Sequence, residues 1–407
     1  MHARFIDFLH TSPSAFHAAH NVAQALTAQG FSLIDATSPA PSAPAAPGGH
    51  VLIDGGAVIA WWVPKHPRPR FRIVGSHTDS PGLMAKPQPD FQREGLRQVA
   101  VEVYGGPILQ TWLDRDLRFA GRVVTDDGTQ HLVDTGAVAR VPNLAIHLYR
   151  ADAPTVERQA HTPPVLGVNQ PLMELVGEAA GVDPQRIVAH ELITADAQRG
   201  ELLGDMLAAG RLDNLSSVWA SLEALLAAKN AAQDILVLAA FNHEEVGSAS
   251  TTGAGGPLLE RVLTRIAREV GEPFDVFAES FQVSADAAHA VHPNYPEKHD
   301  PTHRPRLNGG PVLKINANQR YASDAVTEAE WLRACRAAEV PSQIFVGNNS
   351  VPCGSTIGPI SSTRMGIRTV DVGVPLLSMH SARELCGARD MEYFVRALTA
   401  FYGARAE

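Results

Sequence analysis

Side chains that bind metal ions follow four predicted strands of this 407-residue sequence. The strands belong to the strings FRIVGSHTDS, DILVLAAFNHEEVGS, FDVFAESFQVSADAAHAVH and RTVDVGVPLLSMHS, and a fifth string, GRLDNLSS, places an aspartate at the start of a predicted helix. Ligands of open α/β sheets bind outside the carboxyl ends of the strands, so we expect these side chains to meet at one edge of a sheet. The residues concerned are His77, Asp79, Asp213, Glu244, Glu245, Asp286 and His380.

The residue types in this set indicate a centre for two divalent metal ions. Imidazole nitrogens and carboxylate oxygens without any thiolate favour zinc, with manganese and cobalt as alternatives. A carboxylate that bridges two metal ions about 3.5–4 Å apart allows the pair to bind and activate one water molecule. Proton transfer from that water needs a base that does not bind metal, and the adjacent Glu244 and Glu245 can divide the two roles. Asp79 is placed to orient the imidazole of His77.

Each of these residues, taken alone, is compatible with a role that involves no metal. An isolated histidine after a strand is more often a surface or core residue, and two adjacent glutamates usually form a solvated turn. Asp213 can be the N-cap of the helix that it begins, because aspartate is a preferred residue at that position. These metal-free roles become less plausible when the residues are taken together, since all of the positions fall at one predicted edge. The metal centre is therefore the preferred hypothesis.

The elements that must position this edge come from both ends of the chain. Residues 4–30 have the apolar spacing of an amphipathic helix, and a Pro/Ala-rich loop is predicted at 38–49. Residues 50–63 and 71–75 are predicted strands. After residue 205, predicted helices and buried strands alternate, which is typical of a largely parallel sheet with helices on both faces.

The middle of the chain has a different pattern. From about 88 to 203, short β-like runs are separated by turn signals, as in a small all-β module. We therefore predict an α/β fold in which a mixed, mostly parallel sheet is flanked by helices. Its catalytic domain is formed by residues 1–87 plus 204–407, and a β-rich domain is inserted at 88–203.

Composition narrows the class of protein. The apolar fraction of 45% and charged fraction of 19% are typical of a globular chain, and the net charge of −9 argues against nucleic-acid or membrane-surface partners. Three cysteines without a C-x-x-C pair indicate a reducing compartment. The N-terminus lacks the apolar core of a secretory signal, and no run of about 18 apolar residues is available to cross a bilayer. The expected location is the cytoplasm.

Seven strings in the sequence resemble the aspartyl aminopeptidase family of dinuclear-zinc exopeptidases. They occur in the family's order between residues 75 and 384, and the likeness in layout covers nearly the whole chain. The strings are GSHTDSPG, GRLDN, NHEEVGS, SADAAHAVHPNY, GPVLKINANQRYAS, CGSTIGPI and SMHSARE. The resemblance implies the zinc-exopeptidase type of α/β fold, with the inserted β-rich domain serving dimerisation.

The resemblance assigns each predicted ligand to one of two zinc ions. Asp213 would bridge the two ions. One ion would also bind Glu245 and His380, and the other would also bind His77 and Asp286.

The resemblance also implies substrate contacts and an assembly. The family's substrate-contacting positions fall on His289, Lys314 and Tyr321, next to Asp286, and on His147 in the string VPNLAIHLYR. In the family this last histidine reaches into a neighbouring subunit's site, and dimers assemble into tetrahedral dodecamers. Lys314 and His147 together would offer a cationic pocket for an acidic side chain. Without the family, Lys314 would be expected to extend to solvent and His147 would have no assignable role.

The implied function is that of a metal-dependent aminopeptidase that removes an N-terminal residue, preferably Asp or Glu, from peptides. A metal-bridging hydroxide would attack the scissile carbonyl, with Glu244 as the general base. Two alternatives use the same residues. One is a two-metal deacylase that acts on N-acyl amino acids, and the other is an assembly or peptide-carrier protein with a vestigial site.

Overall fold

The computed structural model describes residues 1–35, 45–149 and 155–403. Within these ranges the strands are β1 (Ser32–Asp35), β2 (Gly48–Asp54), β3 (Ala57–Val63), β4 (Phe71–His77), β5 (Gly82–Arg93), β6 (Leu96–Tyr104), β7 (Leu117–Thr125), β8 (Gln130–Asp134), β9 (Ala139–Arg140), β10 (Val165–Leu166), β11 (Ile187–Asp196), β12 (Glu201–Leu203), β13 (Met206–Ala209), β14 (Ile235–Phe241), β15 (Phe281–Ala285), β16 (Ala288–His289), β17 (Val312–Ile315), β18 (Gln343–Val346), β19 (Arg368–Gly373), β20 (Pro375–Leu377) and β21 (Glu384–Gly387). The helices are α1 (His2–Thr11), α2 (Ala15–Thr27), α3 (Leu172–Ala180), α4 (Leu212–Ala228), α5 (Leu258–Val270), α6 (Pro273–Glu279), α7 (Ala325–Ala337), α8 (Ile357–Met365) and α9 (Ala388–Gly403).

Nine strands form the main sheet, in the spatial order β1-β2-β3-β14-β4-β15-β19-β17-β18. At its centre β14, β4, β15 and β19 run parallel to one another. Alternate residues of β14 enter two separate apolar cores, Leu236 and Leu238 on one face and Val237 and Ala239 on the other. This two-residue period is that of a strand buried on both faces. The predicted mixed, mostly parallel sheet is confirmed.

Helices cover both faces of the main sheet. One core contains residues of α1, α2, α4, α7 and α9, and the opposite core contains residues of α5, α6 and α8. The largest side chains that fill the first core include Trp331 and Phe394, whose rings meet edge to face. The sheet is thus held from both sides, and its carboxyl edge is a fixed platform.

The inserted unit is a closed antiparallel barrel. Six strands follow one another around it in the order β11-β5-β6-β10-β9-β7, β7 pairs with β11 to close the ring, and β8 extends from β7. An apolar core fills the barrel and includes residues of α3, so the module predicted as all-β also carries a helix. The β-rich insertion is confirmed. Its strands run from Gly82 to Asp196, whereas the predicted limits were 88–203.

The third sheet has five strands, and one predicted ligand lies in the connection between two of them. Its order is β12-β13-β21-β20-β16, so Glu201–Leu203 pairs outside the barrel. The string RTVDVGVPLLSMHS, predicted as one strand, is divided between β19 in the main sheet and β20 in this small sheet. His380 therefore follows a strand of the small sheet and not one of the main sheet.

Two further predictions of helix and strand were wrong. The helix expected over 4–30 is two helices, because Pro13 cannot donate a backbone hydrogen bond and Ser14 begins α2 by accepting from the N–H of His17. The string FDVFAES, predicted as strand, lies mostly in α6, with β15 beginning at Phe281. Neither difference moves a predicted metal ligand.

The loop predicted at 38–49 lies mostly outside the described residues. Of that range, residues 45–47 form a turn and 48–49 begin β2. No helix in the described part of the chain is both long enough and apolar enough to cross a membrane.

Closure of the barrel depends on a glycine at the β7–β11 seam. Gly121 is paired with Leu192, and a Cβ atom at Gly121 would overlap the backbone carbonyl of Glu191. We expect Gly121→Ala to destabilise the barrel by an amount on the order of 1–3 kcal/mol, because backbone must move to admit the methyl group. The measurement is the apparent melting temperature of the variant. Gly167→Ala is the control, since its Cβ would meet nothing nearer than 3.6 Å; equal melting temperatures for the two variants would contradict the prediction.

Candidate metal centre

Two groups of ligand atoms meet at the carboxyl edge of the main sheet and share Asp213. Asp213 Oδ1 lies 3.2 Å from His77 Nε2, and Asp213 Oδ2 lies 3.3 Å from His380 Nε2. Asp286 Oδ1 is 3.6 Å from the same atom of His77, and Glu245 Oε2 is 3.3 Å from that of His380. The structure thus brings the five predicted ligands together, with one oxygen of Asp213 facing each group.

Strand order explains why residues distant in sequence meet here. His77 is the last residue of β4, and it is paired with Phe241, the last residue of the parallel strand β14. Glu245 follows β14 directly, and Asp286 follows β15 on the other side of β4. Because the three strands are parallel and adjacent, their carboxyl ends deliver these side chains to one place. His380 arrives from the small sheet, whose strand β20 pairs with β16 just beyond Asp286.

Asp213 is not the N-cap of α4, because that position belongs to Arg211. Asp213 lies in the first turn, with non-helical φ of −82° and ψ of 104°, and its peptide bond to Asn214 is cis. Its two carboxylate oxygens face the two imidazoles, and Oδ1 accepts no hydrogen bond from the described residues. The N-cap role considered for Asp213 is therefore wrong.

Both imidazoles are oriented by backbone carbonyls. His77 Nδ1 is 3.0 Å from the carbonyl oxygen of Asp79, and His380 Nδ1 is 3.1 Å from that of Gly106. A carbonyl can only accept, so each Nδ1 carries the hydrogen and each neutral ring has its lone pair on Nε2. The Nε2 atoms are the ones that face Asp213. Both rings are therefore held in the tautomer that binds a cation through Nε2.

Asp79 anchors three neighbours at once. Its backbone carbonyl orients His77, its Oδ1 accepts from the N–H of Glu244 at 3.1 Å, and its Oδ2 accepts from the N–H of Glu245 at 3.1 Å. Burial alone would raise the pKa of Asp79, but its interaction with His77 outweighs burial and lowers that pKa. Asp79 is thus a fixed anion, and its carboxylate, expected to orient His77, also holds the Glu244–Glu245 turn.

The residues of the two groups fit a bound divalent cation. Asp213 Oδ1 and Glu245 Oε1 are buried, and neither accepts a hydrogen bond from any residue that the structure describes. A buried anionic oxygen without a donor is costly, and a cation would satisfy it. Within each group the ligand atoms lie within 4.8 Å of one another. A donor set of imidazole nitrogen and carboxylate oxygen is suited to Zn²⁺ or a similar ion.

The buried carboxylates of the site raise the pKa values of the residues around them. Burial disfavours a protonated His77, yet the carboxylates of Asp213 and Asp286 outweigh burial and raise its pKa well above the usual range. Burial likewise opposes a charged His380, but Asp213 and then Glu245 raise its pKa to about 10. Burial, followed by the charge of Asp213, raises the pKa of Glu245 well above its usual range. In the absence of metal, protons therefore collect on the ligands themselves.

The two adjacent glutamates differ in exposure. The side chain of Glu245 is 4% exposed and faces His380, whereas that of Glu244 is 17% exposed, with Oε2 4.0 Å from His77 Nε2. Burial, followed by the charges of Asp286 and Asp213, raises the pKa of Glu244 to about 7, although His77 acts in the opposite direction. Glu244 is thus the more accessible of the pair and lies at the border of the site.

Glu384 is a part of the site that the sequence patterns did not reveal. It is 2% exposed, and its two carboxylate oxygens accept from the backbone N–H of Asp213 at 3.0 Å and of His380 at 2.8 Å. Burial and then the charge of Asp213 raise its pKa to about 8. The only sequence signal was its place at the end of the string SMHSARE. Glu384 ties together the backbones of His380 and of Asp213, the residue that the two groups share.

Lys314 is buried against a predicted ligand. Its side chain is 2% exposed, and Nζ donates to Asp286 Oδ2 at 3.3 Å and to the carbonyl of Ala287 at 3.2 Å. The ring of Tyr321 lies under the same ammonium group, 5.1 Å from Nζ. The expectation that an isolated lysine in this strand would extend to solvent is wrong. Burial, with a hydrogen bond to Cys353, raises the pKa of Tyr321.

The other two predicted substrate contacts lie apart from each other. His289 is exposed to solvent on one side and packs on Phe345, with ring centres 5.8 Å apart. Desolvation of the imidazole by neighbouring protein atoms, followed by the charge of Lys314, lowers the pKa of His289. His147 lies in an exposed turn of the barrel unit, and in the described ranges it makes no hydrogen bond or ion pair with the metal-site residues. Within one chain, therefore, His289 is beside the site and His147 is not part of it.

Comparison with known proteins gives matches over the whole chain. The family model of the aminopeptidase I zinc metalloproteases (M18) matches residues 8–402. A probable M18 family aminopeptidase 2 of Streptomyces coelicolor is 46% identical over 415 residues, which cover 97% of this chain and 95% of that protein. A protein of the same description from Pseudomonas putida is 44% identical, with 98% and 97% covered.

Solved structures match equally completely. A chain in the cryo-EM structure of the Ape4 and Nbr1 complex has a TM-score of 0.93 and 35% identity, covering 98% of this chain and 85% of that one. The S. cerevisiae mApe1 dodecamer gives a TM-score of 0.87 at 27% identity, covering 99% and 96%. An M18 aminopeptidase from Thermotoga maritima, at 22% identity and a TM-score of 0.86 over 98% and 95%, shares the fold.

The raised pKa of His380 leads to a prediction about pH. A metal ion must displace the proton that the raised pKa of about 10 keeps on His380 at neutral pH. We expect Zn²⁺ binding to release protons at pH 7 and its affinity to rise with pH, measured by calorimetry in buffers of different ionisation enthalpy. His380→Ala should release fewer protons, whereas His292→Ala, outside the ligand set, should release as many as the unmodified protein. A binding enthalpy independent of the buffer would contradict the prediction.

Proposed function

The chain belongs to the M18 family of zinc aminopeptidases, and from that premise we propose that it acts through two metal ions and prefers peptides with N-terminal Asp or Glu. As a member it is a hydrolase of peptide bonds. The proposal adds the number of ions, the roles of individual residues, the substrate preference and the assembly.

The position of Asp213 is the observation that carries the two-metal proposal. One carboxylate oxygen faces His77 and the other faces His380, each at a little over 3 Å. A carboxylate that served a single ion would have no reason to have a second imidazole at its other oxygen. We assign His77 and Asp286 to one ion, Glu245 and His380 to the other, and Asp213 to both. Zinc is favoured by the family and the donor set, with manganese and cobalt as alternatives.

The protein's own residues divide the remaining work. Bound metal ions polarise the scissile carbonyl and lower the pKa of water. Glu244 accepts the proton of the attacking water at Oε2 and delivers it to the departing amine nitrogen. Asp79 holds the Glu244 backbone at a fixed distance from His77. The free N-terminus of the peptide is held beside the carboxylates of the site, which restricts cleavage to the first peptide bond.

An acidic first residue is supported by the groups beside Asp286. His289 is exposed and can donate to a carboxylate, and the charge of Lys314 lies close behind it. Lys314 itself is occupied by Asp286, so its contribution is a favourable potential and not an open ammonium group. A second cationic or donor group would come from His147 of another copy.

Self-assembly is supported by the turn that carries His147. Leu144, Ile146 and Leu148 of this turn are 51%, 68% and 76% exposed. Exposed apolar side chains in a cluster are typical of a protein interface. The mApe1 relative forms a dodecamer. We propose dimers built through the inserted barrel, assembled into a dodecamer, with His147 reaching the neighbouring site.

The proposal of a cytoplasmic location is supported by the cysteines. Cys335, Cys353 and Cys386 are all unpaired. Disulfide-free chains with buried thiols are typical of reducing compartments.

The base assignment gives the first prediction on activity. Glu244→Gln keeps the shape of the side chain but removes the proton acceptor, so kcat should fall by about 10²–10⁴-fold while zinc content is unchanged. Zinc content is measured by elemental analysis of the purified variants. Glu245→Gln is the matched control, because it removes a predicted ligand and should lower zinc content as well. If Glu244→Gln keeps nearly full kcat, another residue is the base.

The proposed substrate preference gives a second prediction on activity. Among aminoacyl-p-nitroanilides, kcat/KM should be about 10-fold or more higher for Asp and Glu than for Leu, because a site with polar donors rejects an apolar side chain. His289→Ala should reduce this ratio, and His292→Ala should not. N-acetylated substrates should resist cleavage; their hydrolysis would favour the deacylase. Absence of any hydrolysis in the zinc-loaded protein would favour the carrier.

A further inference from the structure

We infer that Tyr104 and the turn after it, residues 104–111 of the inserted barrel unit, position the metal ligands. We call these residues the 104–111 segment. The inference rests on the proposed metal centre and adds to it a part that no predicted ligand belongs to. The segment begins at the last residue of β6 and hydrogen-bonds to residues beside both ligand groups.

Tyr104 acts on one side of the site through Asp79. Its phenol O–H donates to Asp79 Oδ2 at 2.8 Å, the same oxygen that accepts from the N–H of Glu245. Asp79 Oδ1 accepts from the N–H of Glu244, and its carbonyl orients His77. One hydrogen bond from the barrel therefore fixes the orientation of the carboxylate that accepts from the N–H groups of Glu244 and Glu245.

The residues after Tyr104 act on the other side through His380. The carbonyl of Gly106 accepts from His380 Nδ1 at 3.1 Å, and the N–H of Ile108 donates to the His380 carbonyl at 2.9 Å. Thr111 Oγ1 accepts from the N–H of Ala382 at 3.0 Å. Three bonds thus hold the 380–382 backbone and the ring of one ligand against the barrel.

Gly105 brings the segment close to Glu245. Its φ is +68°, and a Cβ atom there would lie 3.2 Å from Glu245 Cβ and 3.5 Å from the Glu245 carbonyl oxygen. The absence of a side chain allows the segment to pass close to Glu245. A position that requires both a left-handed backbone and close approach is one where glycine is needed.

The segment therefore gives the barrel a role in metal binding apart from any role in assembly. Residues that orient a ligand from outside it change metal affinity by about 10–100-fold when they are removed. In the contacts described, the phenol oxygen of Tyr104 bonds to Asp79 and to no predicted ligand, so Tyr104 is a positioning residue and not a catalytic one.

Tyr104→Phe tests the hydrogen bond from Tyr104 to Asp79, with Tyr402→Phe as a matched control. Tyr402 is also a buried phenol, and it donates to the Val237 carbonyl at 2.8 Å, in the core and away from the ligands. The zinc dissociation constant is measured by competition with a chelator, next to the melting temperature of the zinc-free protein. We expect Tyr104→Phe to weaken zinc binding by about 10–100-fold and to lower kcat more than it changes KM. Tyr402→Phe should lower only the melting temperature.

Gly105→Ala tests the close approach of the segment to Glu245, with Gly95→Ala as its control. Gly95 has a similar φ of +79° in the preceding turn of the same sheet, but a Cβ there would meet nothing within 4 Å. Both variants place alanine at a similar positive φ, and they differ in the contacts of the added Cβ, which at Gly105 are with Glu245 and, at 3.5 Å, with Pro81 Cβ. Gly105→Ala should weaken zinc binding, and Gly95→Ala should leave it unchanged.

Unchanged zinc affinity in both Tyr104→Phe and Gly105→Ala would overturn the inference, as would an equal loss of affinity in the two controls. The proposed function fails by a different result. A wild-type stoichiometry of one zinc per chain would overturn the two-metal centre, yet the ratio of affinities between each variant and its control would still decide the role of the segment.

Discussion

The burial of several carboxylates around two imidazoles is the constraint on which the rest of the structure depends. Asp213 and Glu245 each keep a buried oxygen that accepts no hydrogen bond from the described residues, and the surrounding carboxylates raise the pKa values of both imidazoles. Such a group of charges would separate if its members were free to move, because like charges repel in a poorly hydrated site. Hydrogen bonds from the surrounding fold therefore have to fix each of these residues in position, and bound metal would neutralise the remaining negative charge.

The holding residues come from each of the three sheets, which explains the unusual spread of the site along the chain. The main sheet supplies His77 and Asp286 at the ends of adjacent parallel strands. The small sheet supplies His380 and Glu384, and the carboxylate of Glu384 ties the backbone of His380 to that of Asp213. The barrel supplies donors and acceptors that reach Asp79 and His380. No single unit of the described chain contains a complete site, so metal binding and the packing of the units are coupled.

Sequence patterns were sufficient to predict residues whose side-chain type suits metal binding. They were insufficient for residues whose role depends on contacts that only the folded chain makes. The buried strand β14 and the position of Glu245 after it were predictable, because a short apolar run bounded by polar residues is typical of a buried strand. Glu384 was not, since its function depends on two backbone N–H groups that only the folded chain brings together. The single helix expected over 4–30 failed for a local reason, at Pro13. The strand of His380 was placed in the wrong sheet because periodicity does not reveal where a chain leaves one sheet for another.

Lys314 lies beside the predicted ligands, as expected, but its contacts differ from the expected ones. Asp286 has two oxygens: Oδ1 faces His77 at 3.6 Å, and Oδ2 accepts from the buried ammonium of Lys314 at 3.3 Å. Only Oδ1 is therefore directed at the ligand group, so Lys314 restricts Asp286 to one mode of binding. The Ala287 carbonyl and the ring of Tyr321 hold the lysine in turn. A positive charge fixed in this way orients a ligand first, and any attraction for an acidic substrate is a consequence of its place behind that ligand.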